Sequence, residues 1–580
     1  PQIVKAMASS GQVSLEQRQV YRDPFGEAVK REPAPILTLE QDQIVSKVGE
    51  AMGKTFAPFL LVGVTGSGKT EVYLRLAQET LNKGRSVIIL VPEIALISQM
   101  ERRFRSRFGN RIAILHSGLS PGERFDQWLK LARGEITIAI GARSAIFAPV
   151  KNIGLIVVDE EHDASYKQES KLRYNARDIA IVRAKQHNAV ALLGSATPSI
   201  QSYHNAMTGK YTQLSLTERI MDRRLPDITI VDLCRIRNER GYRRYLSKEL
   251  LLGLENTLQR NEQAILFLNR RGFASLPMCG ACGKPLQCKN CDISLTYHRQ
   301  SNAYRCHYCG FTASGGTTCP SCGMDDIRHL GFGTEKIETV VRDLFPNKNI
   351  VRMDRDTVAH KGSVLKILKG LNDGSIDVLI GTQMVAKGHD YPNITLVGII
   401  CADLSLSFPD FRAGEQTFQL LAQVSGRAGR GDTPGSVILQ TYNPDHFSIL
   451  CAKQQNVHQF YDQEIAFRKA LSYPPFSRMI QIILSGRDKT EVHRQAQFLG
   501  SACNTLFRNN KKFRETIAMM GPIEAPYAKI ASRYRWQVLF KGIQAGLLHR
   551  YIRRLVTLNP SLMNNRHVKI TIDVDPVFMM

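Results

Sequence analysis

The chain has 580 residues, which at ~150 residues per domain predicts roughly four domains and excludes a single small binding module. Lys and Arg number 77 against 52 Asp and Glu, a net charge of +25, and an excess that large answers a polyanion, either nucleic acid or an anionic membrane surface. Hydrophobic residues at 43% and charged residues at 22% exclude wholesale disorder, and no run reaches the ~18 apolar residues of a membrane span, so a soluble protein is expected.

The chain opens Pro-Gln-Ile-Val-Lys without a Met, a basic n-region or an apolar h-region, so no secretory signal is read, and the true N-terminus is expected to lie upstream. Residues 3–9 read as a helix and the Pro- and charge-rich residues 23–35 as a linker. Short apolar runs at 60–64, 87–92, 112–116, 136–140, 155–159 and 189–194 alternate with amphipathic helical stretches, the pattern of a parallel sheet with crossover helices. The alternation returns at 264–268, 350–353, 378–381, 396–401 and 437–440, giving a second α/β unit. Between its first strand and the rest, residues 279–322 leave no room for a core and read as an inserted metal module. Past about residue 445 come a helix, the turn Tyr473-Pro474-Pro475, strands at 478–485 and 568–574 and a helix between them, an α+β tail.

Gly63-Val-Thr65-Gly66-Ser67-Gly68-Lys69-Thr70 matches G-x-x-x-x-G-K-[ST] between a strand and a helix. Glycines let backbone amides wrap a polyphosphate, Lys69 reaches the β/γ-phosphates and the Thr70 hydroxyl suits Mg²⁺. The apolar strand before Asp159-Glu160-Glu161-His162 delivers these groups to the sheet's carboxyl edge. Asp159 is assigned to Mg²⁺, Glu160 to the attacking water and His162 to a link between the nucleotide and neighbouring loops. Gly194-Ser195-Ala196-Thr197-Pro198 ends another strand. In the second α/β unit, Gln423 to Arg430 places Arg427 and Arg430 as finger residues for the γ-phosphoryl group.

Cysteines pair as Cys279/Cys282, Cys288/Cys291, Cys306/Cys309 and Cys319/Cys322, each Cys-x-x-Cys, so eight of twelve complete two closed Cys₄ zinc sites. Such closed sites are structural. A redox role needs only one pair, and spacing alone leaves the pairing open. His298, His307 and His329 are read as surface residues, and Cys234, Cys401, Cys451 and Cys503 as small buried side chains. A reducing cytoplasm is expected. Tyr166, Arg173, Tyr174 and Arg177, in the loop after the acidic box, mix cations and aromatics that suit single-stranded DNA. Residues 508–554 hold eleven Lys/Arg against two Asp/Glu. There Trp536 is expected inside and Arg533, Arg535 and Lys541 outside, facing DNA or an acidic peptide.

The ordered series of P-loop, Leu90-Val-Pro92-Glu93, Gly141-Ala-Arg143-Ser144, the acidic box, Ser195-Ala-Thr197, Gly381-Thr382-Gln383-Met384 and Gln423 to Arg430 resembles superfamily 2 helicases. That resemblance implies that Arg143, Thr382 and Gln383 line a single-strand channel or couple it to ATP. Asn269-Arg-Arg-Gly272, the cysteine module, Gly333-Thr-Glu335, Met353-Asp-Arg-Asp-Thr357 and Arg533-Tyr-Arg-Trp-Gln537 are more narrowly similar to the bacterial primosomal protein N′ family of replication-restart helicases. The family implies two RecA-like lobes with an inserted zinc module and a C-terminal α+β domain. It divides the chain into a winged-helix remnant (1–25), a linker (26–36), lobe 1 (37–215), lobe 2 (216–278 and 324–445), the double zinc module (279–323) and the tail (446–580). It also implies absence of the domain that captures a 3′ DNA end. Gln41 becomes an adenine contact, and the zinc pairing nested: Cys279, Cys282, Cys319 and Cys322 on one ion, Cys288, Cys291, Cys306 and Cys309 on the other. Leu172 stands where the family usually has Trp.

The activity so implied is ATP- and Mg²⁺-dependent 3′→5′ DNA unwinding at stalled or branched forks, starting replication restart in a bacterial, nucleoid-associated cytoplasmic setting. Its partners would be forked and single-stranded DNA, the acidic tail of single-stranded DNA-binding protein, primosome proteins and the loader of the replicative helicase, with no membrane. An RNA helicase or restriction-type translocase shares the ATPase motifs without a reason for the eight cysteines. A zinc-bearing scaffold whose ATP site only switches shape is the non-enzymatic alternative.

Overall fold

Parallel strands covered by helices on both faces are apolar from end to end, and this chain builds two sheets of that kind. The computed structural model describes residues 2–14, 21–25, 29–170, 172–218, 226–236, 241–268, 276–291, 293–298, 302–316, 318–330, 333–354, 357–358, 363–386, 393–406, 408–428 and 434–579. They fall into two compact units, residues 1–58, 70–159 and 176–193 in one, and 59–69, 160–175 and 194–580 in the other.

In the first unit Ile112–Leu115, Ile138–Gly141, Ser86–Leu90, Ile153–Asp159 and Val190–Ser195 are neighbours in that order. Val87 is opposite both Ile138 and Leu155, and every residue of Ser86–Leu90 is buried. Helices Leu39–Ala51 and Pro121–Arg133 each start at a capping box, Thr38 with Gln41 and Ser120 with Glu123, which satisfies otherwise orphaned amides. Helix Gln2–Ser9 buries none of its residues.

In the second unit Ala57–Gly63 pairs in parallel with Thr212–Leu216. Six parallel strands run Ile350–Met353, Val378–Gly381, Gln263–Phe267, Ile394–Ile399, Ser436–Thr441, Asp227–Asp232. One face of this sheet packs Ile265, Val397 and Leu439 against Phe418 and Phe460, and the other packs Leu266 and Ile380 against Leu250 and Ile337. These are RecA-like α/β layers, as the alternation of strand and helix signals predicts. The cysteine segment adds Leu276–Cys279 paired with Ile327–Leu330, and a small sheet of Thr296–His298, Ala303–Arg305 and Thr312–Ser314. The tail is an antiparallel sheet ordered Ile517–Ile530, Arg533–Gly542, Arg478–Gly486, Val568–Val574. Helices Lys489–Asn509 and Ala545–Leu558 bury Leu499 and Tyr551 against its Leu484, Trp536 and Phe540.

Outside the cysteine segment, whose short strands had no sequence signal, three further strands were not anticipated. Thr212–Leu216 buries only Leu214 and Leu216, and Asp227–Asp232 is an edge strand with alternating exposure, so neither shows the continuous apolar run of a central parallel strand. Ile517–Ile530 turns into its partner through Ala531 and Ser532 at φ 46° and 60°, without the Asn or Gly that marks such a turn in sequence. Among the described residues no helix is long and apolar enough to cross a membrane.

Candidate active site and metal centres

The P-loop joins strand Ala57–Gly63 to helix Lys69–Asn82, so its amides sit at a helix N-terminus that favours anions. Gly66 and Gly68 take φ of +88° and +79°, where a side chain is strained. A Cβ on Gly63 would meet Ser67 Oγ at 2.7 Å. Lys69 Nζ donates to Gly63 O at 2.7 Å, holding the ammonium across the loop.

Strand Ile153–Asp159 ends at the acidic box, where Tyr73 Oη donates to Asp159 Oδ1 at 3.0 Å. Glu160 follows at φ +46°, an abrupt turn off the strand. Its carboxylate is partly exposed, with Oε2 3.6 Å from His162 Nδ1. His162 is the hub: Nε2 accepts from Gln423 Nε2 at 2.8 Å, which leaves the ring proton on Nδ1 to donate to Ser195 Oγ at 2.8 Å. Ser195 Oγ also accepts from Thr197 N at 3.0 Å. The acidic box, the Ser-Ala-Thr segment and the Gln/Arg helix are thus joined through one imidazole. Gly426 completes the approach, since a Cβ there would lie 3.6 Å from Thr65 Oγ1 of the P-loop. Arg427, next in the chain, is buried, whereas Arg430 lies outside the described residues.

Two supporting carboxylates escaped the sequence reading. Glu161 is buried and accepts from Ser199 N at 2.6 Å, Ser199 Oγ at 3.1 Å and Ser202 Oγ at 2.7 Å, bracing Ser199, the N-cap of helix Ile200–Met207. Glu415, on helix Ala413–Ser425, accepts from Ile200 N at 2.8 Å and from Arg468 Nη2 at 2.6 Å. Burial would raise the Glu415 carboxyl's pKa, but Arg468 and the Ile200 amide hold it below the ordinary value. Gln419 Nε2 adds bonds to Thr197 O and Pro198 O, both at 3.3 Å. Only tertiary contact reveals this clamp; the one sequence signal is a Glu beside an apolar helix face.

In the second α/β sheet, Thr334 Oγ1 donates to Asp354 Oδ2 at 2.9 Å, and Arg352 bridges to Glu335 at 3.0 Å. This joins Gly333-Thr-Glu335 to Met353-Asp354. Gln41 is buried in its capping box, its Oε1 accepting from Thr38 N at 3.0 Å. Arg143 opens the short helix Arg143–Phe147, and Thr382 is half-buried. The Gln383 side chain, Asn269 to Gly272 and the Arg355-Asp356 pair lie outside the described residues.

Tyr166 and Arg173 are corrected as expected DNA contacts, as are the outside positions expected for Arg535 and Lys541. Tyr166 is 1% exposed and has no face to stack on a base. Arg173 Nη1 donates to Asp573 Oδ2 at 2.5 Å, so that group is engaged inside the protein. Tyr174 is half-buried, and Arg177 bonds Asp178 at 3.0 Å. Arg533 is exposed as expected, but Arg535 is half-buried; burial first, then the facing Arg173, push its guanidinium pKa down. Lys541 is not outside either, because its Nζ donates to Leu471 O at 3.0 Å and burial lowers its pKa. Trp536 is buried, as read.

The eight paired cysteines gather as Cys279, Cys282, Cys319, Cys322 and as Cys288, Cys291, Cys306, Cys309, sulfurs in each group within 4.8 Å of one another. The sulfurs of Cys279 and Cys322, Cys282 and Cys319, and Cys288 and Cys309 are 3.7, 3.8 and 3.6 Å apart. A tetrahedral Zn–S bond of ~2.3 Å gives a sulfur–sulfur edge of about 3.8 Å, whereas a disulfide needs ~2.05 Å. The donor sets therefore fit two zinc ions. Gly283, Gly310 and Gly323, each just after a second cysteine, take φ of +70°, +81° and +74°, a knuckle signal that the cysteine spacing overshadowed. His307 is not a surface residue. It is buried, its Nδ1 2.8 Å from Glu524 O and its Nε2 3.1 Å from His298 Nε2.

A P-loop leading into a helix, and an acidic box joined to a Gln/Arg helix through one histidine, on RecA-like layers, define a superfamily 2 helicase. Residues 38–206 match the DEAD/DEAH box helicase family and 334–432 the helicase conserved C-terminal domain. Residues 288–313 match the Cys-rich region of PriA DNA helicase, and 469–577 the primosomal protein N C-terminal domain. The chain is 43% identical to the replication restart protein PriA of Bacillus subtilis, over 100% of this chain and 71% of that protein. It is 40% identical to that of Synechocystis sp. over 99% and 68%, and 39% identical to that of Haemophilus influenzae over 93% and 72%. The chain belongs to the PriA family of replication restart proteins, and it is an ATP-dependent DNA helicase.

Proposed function

We propose that the chain couples ATP hydrolysis to 3′→5′ unwinding at stalled or branched forks and so starts primosome assembly. The observation that carries the coupling is His162, which bonds Ser195 and Gln423 at once and so ties the acidic box to the helix leading to Arg427. In this reading Gly63, Thr65, Gly66, Ser67, Gly68 and Thr70 wrap and orient the triphosphate while Lys69 leaves Gly63 O for the β/γ-phosphates. Asp159, oriented by Tyr73, holds Mg²⁺, which when bound neutralises phosphate charge. Glu160 orients the attacking water, and Arg427 with Arg430 neutralises charge on the transferring γ-phosphoryl group. Gln41, whose Oε1 is held in its capping box, is assigned to adenine. Two zinc ions hold the cysteine module in shape.

Arg143, Thr382 and Gln383 are assigned to the DNA channel, Tyr174 and Arg177 to sensing single-stranded DNA, and Arg533 to phosphate. Single-stranded DNA-binding protein, primosome proteins and a helicase loader are the proposed partners, in the bacterial cytoplasm. The division into two lobes, a zinc module and a C-terminal domain follows the matched segments. Comparing ATP turnover with no nucleic acid, single-stranded DNA, RNA and forked DNA tests the reading. Greatest stimulation by forked or single-stranded DNA is expected, and stimulation by RNA alone would overturn it.

A further inference from the structure

The loop that follows the acidic box is a closed unit. Asp163 caps Ser165 N at 2.8 Å, Ala164–Tyr166 forms a 3₁₀ turn, and Gln168 N donates to Tyr174 O at 2.7 Å beside a bridge between Lys167 and Asn175. Its base is gripped from far along the chain. Lys167 Nζ lies 2.8 Å from Asp573 Oδ1 and donates to Val574 O at 2.7 Å and Asp575 O at 3.1 Å. Arg173 takes the other Asp573 oxygen at 2.5 Å. The carboxylate is 3% exposed and the ammonium 4%. A buried carboxylate shared by two cations fixes both ends of the hairpin, because moving either end strands a charge away from water.

We propose that Asp573, on the C-terminal strand Val568–Val574, is a positioning residue for DNA-stimulated ATP hydrolysis. It holds the hairpin in the register that carries Tyr174 on one side and His162 on the other. Arg535 of an adjoining part of the tail faces Arg173, so without Asp573 the two guanidiniums repel and the hairpin loses its seat. The last strand of the tail thereby reports to the ATP site through the six residues from Lys167 back to His162. This rests on the reading of the hairpin as the DNA sensor.

The test uses the full chain and a poly-dT oligonucleotide. Asp573→Asn is expected to leave DNA-free turnover unchanged while cutting the fold-stimulation of kcat at least about fivefold. Asp573→Glu should restore part of it. Lys167→Met combined with Asp573→Asn should lose no more than Asp573→Asn alone, because both act at one junction. Undiminished stimulation of Asp573→Asn, or losses that multiply in the double variant, overturns the proposal. Tyr174→Ala separates the layers: if it is impaired and Asp573→Asn is normal, only the positioning role fails. If Tyr174→Ala is stimulated normally, the sensing reading fails and takes this inference with it. Should Asp573→Asn not fold, as judged by thermal melting, Arg173→Gln keeps the Lys167 pair and gives the same readout.

Discussion

At the scale of single residues, the P-loop was legible because its glycines and lysine are needed together for one task, and the structure places each at a backbone angle or bond that only that residue suits. Lys69→Ala should abolish ATP turnover while DNA binding survives, as measured by steady-state hydrolysis and DNA-binding titration, since the ammonium meets phosphate. Arg427→Ala should lower kcat by about 10³-fold or more with little change in nucleotide affinity, because a finger acts in the transition state; an unchanged kcat would remove it from the site. What sequence could not show was which cations are already engaged. Arg173 looks like a DNA ligand until Asp573, four hundred residues on, is brought to it. Tyr166 and His307 were misplaced for the same reason: burial of a polar side chain is decided by partners that no local pattern names.

At the scale of elements, a helix's own cap is local, as Ser199 is for Ile200–Met207, whereas the groups that hold the helix start in place lie far along the chain and carry no local signal. Helix Ile200–Met207 is held by Glu161 and Glu415, and Glu415 in turn by Arg468, itself bonded to Glu464 at 2.8 Å. Glu415→Ala removes the helix amide's acceptor and one of the carboxylates that pair with a buried guanidinium, so a cost of about 3–5 kcal/mol is expected. It would be read as a lower first thermal transition together with a fall in kcat. Helix Phe447–Gln454 offers a pH test. His446 Nδ1 accepts from Ser448 N at 3.2 Å, and burial pushes its pKa down to about 4. The unfolded histidine titrates near 6.5, so as pH falls the unfolded chain takes up the proton first. The neutral cap's contribution is complete above about pH 6.5 and is lost as pH falls to about 4, a change of about 3 kcal/mol. His446→Asn keeps a capping acceptor without the titration, so between pH 7 and 4 its urea midpoint should fall less than the parent's. Parallel pH curves would remove His446 as the cause.

For the whole molecule, the basic charge, the two α/β units and the insertion of a cysteine module were all legible, because each repeats a signal many times. The seating of that module was not. Its inner group belongs to a core in which Cys288, Cys291, Cys306 and Tyr308 pack with Phe411, Tyr473, Met479 and Leu539 of the helicase and tail segments. Tyr473 Oη donates to Cys291 O at 3.1 Å, and Gln537 Nε2 to His307 O at 2.7 Å. The outer group is less covered: Cys279 and Cys319 are buried, but Cys282 is half-buried and Cys322 exposed. Protein purified without chelator should carry two zinc ions per chain, and graded chelation should release them in two steps, the outer one first. Cys282→Ser should therefore impair unwinding of a forked duplex more than it lowers DNA-stimulated hydrolysis, because it disturbs the more exposed of the two groups. Cys291→Ser removes an inner ligand whose neighbours bind the tail sheet, and it should lower both activities and the thermal stability together. Loss of both ions in a single chelation step, or equal losses of the two activities in Cys282→Ser, would mean that the two sites support one cooperative core rather than an outer tool on an inner anchor.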